Sequence, residues 1–226
     1  MSELFDPALS SRIRSVGVIA VLIIDNAEDG PPLAASLLAG GVTAMELTLR
    51  TPAAFDALRA IRKEIPDMLA GLGTVLSVDQ VQRAVDDGAA FAVAPGFNPR
   101  VAGKARELGL SFAPGIATPS DIEGAVELGA KLLKFFPAEP SGGVNYLKAI
   151  AAPYAHLGLE YIPLGGLNGE NLRGYVKEPL VAALGGSWIA PRERIRAGDW
   201  NFITAAARDA VASIREVRAL LPDSGA

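Results

Sequence analysis

Lys134 is the residue most at odds with its surroundings. In Lys131-Leu132-Leu133-Lys134-Phe135-Phe136-Pro137 it stands between two leucines and two phenylalanines, whereas Lys63, Lys104, Lys131, Lys148 and Lys177 fall at helical or strand-opening positions where an ammonium is solvated. Strand alternation puts Leu132, Lys134 and Phe136 on one face. Apolar surroundings disfavour the charged form of an amine, and a neutral amine is the nucleophile that adds to a ketone to form a Schiff base. The bland alternative is a snorkelling or ion-paired lysine, with Glu46 as a candidate partner. The segment Ala44-Met45-Glu46-Leu47-Thr48-Leu49-Arg50 alternates with the same period. Glu46, Thr48 and Arg50 therefore share one face, while Met45, Leu47 and Leu49 turn the other way. A carboxylate there can move protons and a guanidinium can clamp an anion; a purely structural Glu–Arg pair is the competing reading. Gly165-Gly166 and Gly185-Gly186-Ser187 form a third constellation. Glycine lets backbone N–H groups approach an anion closely, although glycine pairs also simply make turns.

These residues need a scaffold that brings them to one end. Strand-like apolar runs at 16–24, 42–49, 68–73, 90–94, 110–113, 131–136, 159–164 and 180–184 alternate with amphipathic stretches near 27–39, 52–64, 78–87, 99–108, 119–128, 143–152 and 169–177, and a long final helix covers about 200–220. Strands alternating with helices specify an α/β fold with a parallel sheet. An opening helix is expected over Pro7–Arg14, with Asp6 as N-cap and Pro7 in the first turn. The simplest architecture is a single (β/α)8 TIM barrel with an N-terminal helix, one domain over 1–226 in which 1–15 form the helical segment and 16–220 the barrel. Its site would lie at the C-terminal ends of the strands, and the loops after strands seven and eight frequently hold a phosphate. A doubly wound open sheet is the alternative, but no strand is followed by its G-x-G-x-x-G turn. Gly73-Thr74, Pro95-Gly96 and Pro114-Gly115 fall at further strand ends.

Composition removes several classes of function. The chain has 226 residues, 50% of them hydrophobic and 20% charged, which suits a buried core rather than disorder. It has no Cys and one His, so thiol chemistry and a multi-histidine zinc centre are excluded and no metal is expected. A net charge of −4 with scattered Lys and Arg gives no footprint for nucleic acid. No apolar run approaches the ~20 residues of a membrane span, and the N-terminus has no secretory pattern. The expected partners are small molecules, neither nucleic acid nor membrane. His156 is read as a surface residue, and Trp188 and Trp200 as core or interface packing.

The motifs Glu46-Leu-Thr-Leu-Arg50-Thr51, Gly73-Thr74-Val75-Leu76, Pro95-Gly96, Pro114-Gly115-Ile116-Ala117-Thr118 and Lys134-Phe-Phe-Pro-Ala-Glu139 occur in this order, followed by Gly142-Gly143, Gly165-Gly166 and Gly185-Gly186-Ser187-Trp188. The set resembles the 2-keto-3-deoxy-6-phosphogluconate (KDPG/KHG) aldolase family from about residue 16 to about 215. The resemblance implies a class I aldolase on a (β/α)8 barrel, a cytoplasmic homotrimer without metal or other cofactor. Such enzymes cleave a phosphorylated keto-deoxy sugar acid into pyruvate and glyceraldehyde 3-phosphate. By the resemblance, Lys134 matches the Schiff-base lysine and Glu46 the general acid/base. Arg50 and Thr74 match binders of the pyruvyl carboxylate, Pro95 and Phe136 match pocket walls, and Gly165, Gly166, Gly186 and Ser187 match the phosphate end. Two positions depart from the family pattern. Leu164 stands where the gluconate-type branch usually carries Thr, which makes it the candidate specificity residue, and the opening strand lacks a common Pro. A galactonate-type or 4-hydroxy-2-oxoglutarate aldolase on the same lysine, a phosphate-binding isomerase and a non-catalytic binding protein are the competing readings.

Overall fold

The computed structural model describes residues 3–221, so the ends of the expected domain, 1–2 and 222–226, lie outside the described residues. The chain opens with α1 (Pro7–Val16), which starts as the sequence requires: Asp6 caps it by accepting from the Ala8 N–H at 2.9 Å, with Pro7 in the first turn. It runs two residues past the expected end and stops at Gly17, whose φ of 81° suits a residue without a side chain.

Parallel strands and helices then alternate. β1 (Val18–Leu22), α2 (Gly30–Ala39), β2 (Ala44–Thr48), α3 (Ala54–Glu64), β3 (Leu69–Gly73), α4 (Val78–Asp86), β4 (Ala92–Val93), α5 (Pro99–Glu107) and β5 (Phe112–Ala113) follow one another. Next come β6 (Gly115–Ile116), α6 (Pro119–Glu127), β7 (Leu132–Phe135), α7 (Gly143–Ala151), β8 (Glu160–Pro163), α8 (Leu172–Val176), β9 (Leu184–Gly186), α9 (Arg192–Arg196) and α10 (Trp200–Ala219). A six-stranded parallel sheet has the order β5-β4-β3-β2-β1-β9, and a three-stranded one has the order β6-β7-β8. Isolated parallel bridges, Tyr161 to Val181 and Leu164 to Gly185, connect β8 to the segment of β9. The fold is α/β with a curled parallel sheet.

Three expectations need correction. The fifth strand, expected over 110–113, is only Phe112–Ala113, and an unexpected short strand, Gly115–Ile116, follows it past Pro114, which has no N–H to give a ladder. The last strand lies at Leu184–Gly186 and not at 180–184: Leu180 and Ala182 bond to the Tyr161 backbone on β8, and the ladder with β1 begins at Leu184. Gly185 and Gly186 are therefore inside the strand, where the sequence reading put them after it. The short helix α9 was not expected.

Two apolar clusters build the core. Met45, Leu47, Leu133 and Phe135 belong to the larger one, between the sheet and the helices. Ile19, Ala44, Leu69, Phe91, Val93 and Leu132 form the second, inside the curl, and Phe5 and Ile13 from the N-terminal arm and α1 pack into it. The arm is tied down by backbone bonds, Leu4 N–H to Gly129 O at 3.0 Å and Phe112 N–H to Leu4 O at 2.9 Å. Burying side chains such as Phe5 and Ile13 stabilises by about 1.5–3 kcal/mol each. The N-terminal end of the curl is thus closed with hydrocarbon, and the polar interior residues are confined to the other end.

Candidate active site

Two residues along from the apolar floor, the same strands turn polar. β2 carries Ala44 and then Glu46; β7 carries Leu132 and then Lys134. Alternation points both pairs inward, as the sequence pattern requires. Lys134 and Glu46 are only 5% and 2% exposed. The Lys134 ammonium donates to Glu46 Oε1 at 2.9 Å and to Oε2 at 3.3 Å. The ion pair that the sequence allowed as an alternative is therefore present. It does not account for itself energetically, since desolvation offsets most of what a buried ion pair gains. It does place a carboxylate where it can accept the amine's proton, and so release the neutral nucleophile.

The carboxylate fits because β3 leaves room for it. A Cβ on Gly73 would fall 1.8 Å from Glu46 Oε1. Sequence reasoning noted Gly73 only as a strand end; its real constraint is the cross-strand neighbour. The next residue, Thr74, has φ 60°, and among the described residues it is the only non-glycine with positive φ. A β-branched residue in that region costs on the order of 1–3 kcal/mol, and such strain clusters at functional sites.

A cavity of about 310 Å³ opens above the pair at the C-terminal strand ends. Thr48, Arg50 and Thr74 line one part of it, and Pro95 and Phe136 another. Thr48 is fixed by donating to Leu22 O at 2.8 Å, while the exposed Arg50 reaches Thr48 Oγ1 through Nε at 3.4 Å. The Phe136 ring centroid lies 5.6 Å from Lys134 Nζ, within cation–π range. The far side is formed by Leu164, Gly165, Gly185 and Ser187. Leu164 is 4% exposed, and a Cβ on Gly185 would fall 2.0 Å from its Cγ, so the glycine in β9 makes space for that leucine.

The structure does not bring every expected residue to this cavity. Gly166, at φ 83°, is exposed beside Glu139 and outside the lining. Gly186 is buried, and a Cβ on it would meet Ile189 and Trp188 on the opposite face. Val21, which sequence reasoning missed, lines the cavity beside Glu46, its register partner. Its signal was available in the alternation of Ile19 and Val21 along β1. His156 is exposed in a short 3-10 turn, and Trp188 and Trp200 are half-buried against the core. At the end of the β1 segment, Asp25 accepts hydrogen bonds from Arg192 and Arg196, which hold its carboxyl well below the usual range. Among the described residues no helix is long and apolar enough to cross a membrane.

A family model for KDPG and KHG aldolase matches residues 9–206. A 2-dehydro-3-deoxy-phosphogluconate aldolase of Treponema pallidum is 46% identical over 193 residues, covering 85% of this chain and 91% of the relative. The KHG/KDPG aldolase of Escherichia coli K12 is 41% identical over 194 residues, covering 86% and 90%. Among solved structures, a KDPG aldolase from Legionella pneumophila, with pyruvate captured as a covalent carbinolamine, superposes with a TM-score of 0.84 at 36% identity, covering 88% of this chain and 96% of that one.

Proposed function

This chain belongs to the KDPG and KHG aldolase family, and on that premise we propose how its residues divide the chemistry. The enzyme is a carbon–carbon lyase that works through a Schiff base, cleaving 2-dehydro-3-deoxy-6-phosphogluconate to pyruvate and glyceraldehyde 3-phosphate. Lys134 is the nucleophile. Glu46 takes its proton along the 2.9 Å hydrogen bond, and this contact is the observation that carries the assignment. The neutral amine adds to the substrate ketone, and Glu46 returns the proton as water leaves, giving a protonated imine. That cation is the electron sink for the next step. The Glu46 carboxylate removes the C4 hydroxyl proton, the C3–C4 bond breaks, and the aldehyde departs. The enamine left on Lys134 is reprotonated through the same carboxyl group, and hydrolysis releases pyruvate.

Arg50 and Thr74 hold the pyruvyl carboxylate, Arg50 through its planar fork. Pro95 and Phe136 wall the imine. Gly165 and Ser187 take the phosphate at the far side, with Gly166 and Gly186 contributing through their backbone. Binding the remote phosphate orients the reacting end. Leu164 offers the substrate only apolar contact, so hydroxyl configuration is selected weakly and the gluconate-type substrate keeps its preference. Turnover of the galactonate epimer and of 4-hydroxy-2-oxoglutarate on the same lysine is the second reading, and that apolar contact favours it.

The scaffold is one domain, a closed (β/α)8 barrel. Three features support this: β5 and β6 behave as halves of one strand broken at Pro114, the Leu164–Gly185 bridge joins the two sheets, and β9 pairs with β1. A cytoplasmic homotrimer is the expected working form. The test of the chemistry is borohydride treatment in the presence of pyruvate followed by peptide mass spectrometry. A reduced pyruvyl adduct on Lys134 is expected; a label on Lys131 or Lys148 instead would overturn the assignment.

A further inference from the structure

The glycine loop at the far side of the cavity is held by side chains that the catalytic scheme does not use. Beyond the strand ends, the loop after β7 bonds to the loop after β8: the Ala138 N–H donates to Leu164 O at 2.7 Å and the Glu139 N–H to Gly165 O at 3.0 Å. The Glu139 side chain then lies against Gly166, where an added Cβ would be 2.7 Å from its Cβ and 2.9 Å from its Cγ. Its carboxylate accepts a hydrogen bond from the phenol of Tyr175, on α8, the helix that follows the glycine loop. Gly143 leaves the space for this contact: a Cβ there would be 3.2 Å from Glu139 Oε1 and 3.5 Å from the Tyr175 oxygen. Asn171 holds the same loop through Gly166 O at 2.9 Å.

A hydrogen bond between a carboxylate and a buried phenol is a rigid tether. Tyr175 is 2% exposed, and burial together with the neighbouring carboxylate pushes its proton loss far up, so it remains a donor. The tether also answers an electrostatic problem. A loose carboxylate beside an anion site repels its ligand, whereas donation from Tyr175 keeps Glu139 Oε1 toward α8.

We infer that Glu139 and Tyr175 are positioning residues that set the Gly165–Gly166 loop for the phosphate of the substrate and act on phosphate affinity without affecting imine formation at Lys134. The inference rests on the phosphate end assigned above. Tyr175→Phe keeps the ring and removes the donor. It is expected to raise KM for the phosphorylated keto-acid, and the inhibition constant of inorganic phosphate, by about three- to tenfold, part of what a hydrogen bond to a charged group contributes. The pyruvate concentration that half-saturates borohydride inactivation stays within about twofold, as does kcat. Glu139→Gln, which retains a carbonyl acceptor for the phenol, shows a smaller rise. An unchanged KM and phosphate inhibition in Tyr175→Phe would overturn the inference, as would a pyruvate half-saturation that rises in parallel with KM. Absence of pyruvate trapping in the parent enzyme would instead overturn the aldolase assignment on which it rests.

Discussion

The two ends of the sheet interior are built from the same strands and obey opposite rules. At the N-terminal end, Phe5, Ile13, Phe91 and Leu132 fill the space with hydrocarbon; at the C-terminal end, Glu46 and Lys134 bury charge two residues further along β2 and β7. β3 shows the contrast within one strand, because the two inward positions that follow Leu69 are both glycines. At Gly71 a Cβ would meet the Phe91 ring at 2.5 Å, and at Gly73 it would meet the Glu46 carboxylate at 1.8 Å. One glycine gives way to packing and the other to chemistry. A buried ion pair contributes little net stability, so its persistence beside an apolar floor that could have been extended upward points to catalytic use.

The largest effects are expected where this contrast is removed. Lys134→Arg keeps a cation beside Glu46 but cannot add to a ketone, because a guanidinium stays protonated. Its turnover should fall by about 10³-fold or more, the scale of nucleophile loss in enzymes, and pyruvate with borohydride should no longer label the protein. Measurable turnover near the parent rate would leave the lysine as a structural partner of the carboxylate. Glu46→Gln is the complementary change. The amide preserves size and can still receive a hydrogen bond from Lys134, but it cannot carry the proton. Turnover should drop by ~10²–10⁴-fold, while pyruvate trapping still labels Lys134 but proceeds more slowly, because the amide cannot take up or return the proton in imine formation. Near-normal rates would move the proton relay to another group.

The glycine pair sharpens the comparison. Gly73→Ala forces the carboxylate aside, and a displacement of about 1 Å at a reacting group can cost on the order of 10²-fold in rate. Gly71→Ala instead crowds the Phe91 ring, and overpacking of that kind costs about 1–3 kcal/mol of stability. The first variant should lose kcat at a modest cost in Tm, and the second should lose Tm with turnover changed less than about threefold. Thermal unfolding and steady-state kinetics on the two purified variants decide it; equal kinetic losses would mean that the two ends are not separable.

What sequence could show of this division depended on how far the information reached. Alternation is local, so the inward faces of β2 and β7 were legible, and with them Glu46, Thr48, Arg50 and Lys134. The apolar floor was not, because it needs Phe5 and Ile13 to arrive from an N-terminal arm whose docking onto Gly129 and Phe112 leaves no local trace. The demand on Gly73 depends on a side chain of the neighbouring strand, and the position of β9 on whether residue 181 or residue 184 starts the ladder. Gly165 and Ser187 were found as a motif together with Gly166 and Gly186, and the motif gave no sign that the first pair lines the cavity while the second lies outside the lining. Alternation put Phe136 on the Lys134 face and Thr74 and Pro95 fell at strand ends, but only the resemblance promoted the three to site residues, since neither a threonine, a proline nor a phenylalanine at a strand end announces a cavity wall.

The smallest effect is expected at Leu164, where the apolar rule of the floor reappears at the polar end. Leu164 is inside the same apolar cluster as Phe91 and Leu132, yet it lines the same cavity as Glu46 and Lys134. Its side chain occupies the space left by Gly185, so it presents methyl groups to whatever binds. A hydroxyl at this strand end could hydrogen-bond one substrate epimer and not the other. One neutral hydrogen bond is worth roughly 0.5–1.5 kcal/mol net, about two- to tenfold in discrimination. Leu164→Thr should therefore sharpen the ratio of kcat/KM between the gluconate and galactonate epimers by about that factor. Pyruvate trapping at Lys134 should be unaffected, because the contact proposed for this side chain is with the aldehyde half. The change also empties part of the volume beside Gly185, so some loss of Tm accompanies it. Should the parent enzyme already separate the epimers by more than about 100-fold, the selection exceeds what one such bond supplies, and it must come from groups other than Leu164.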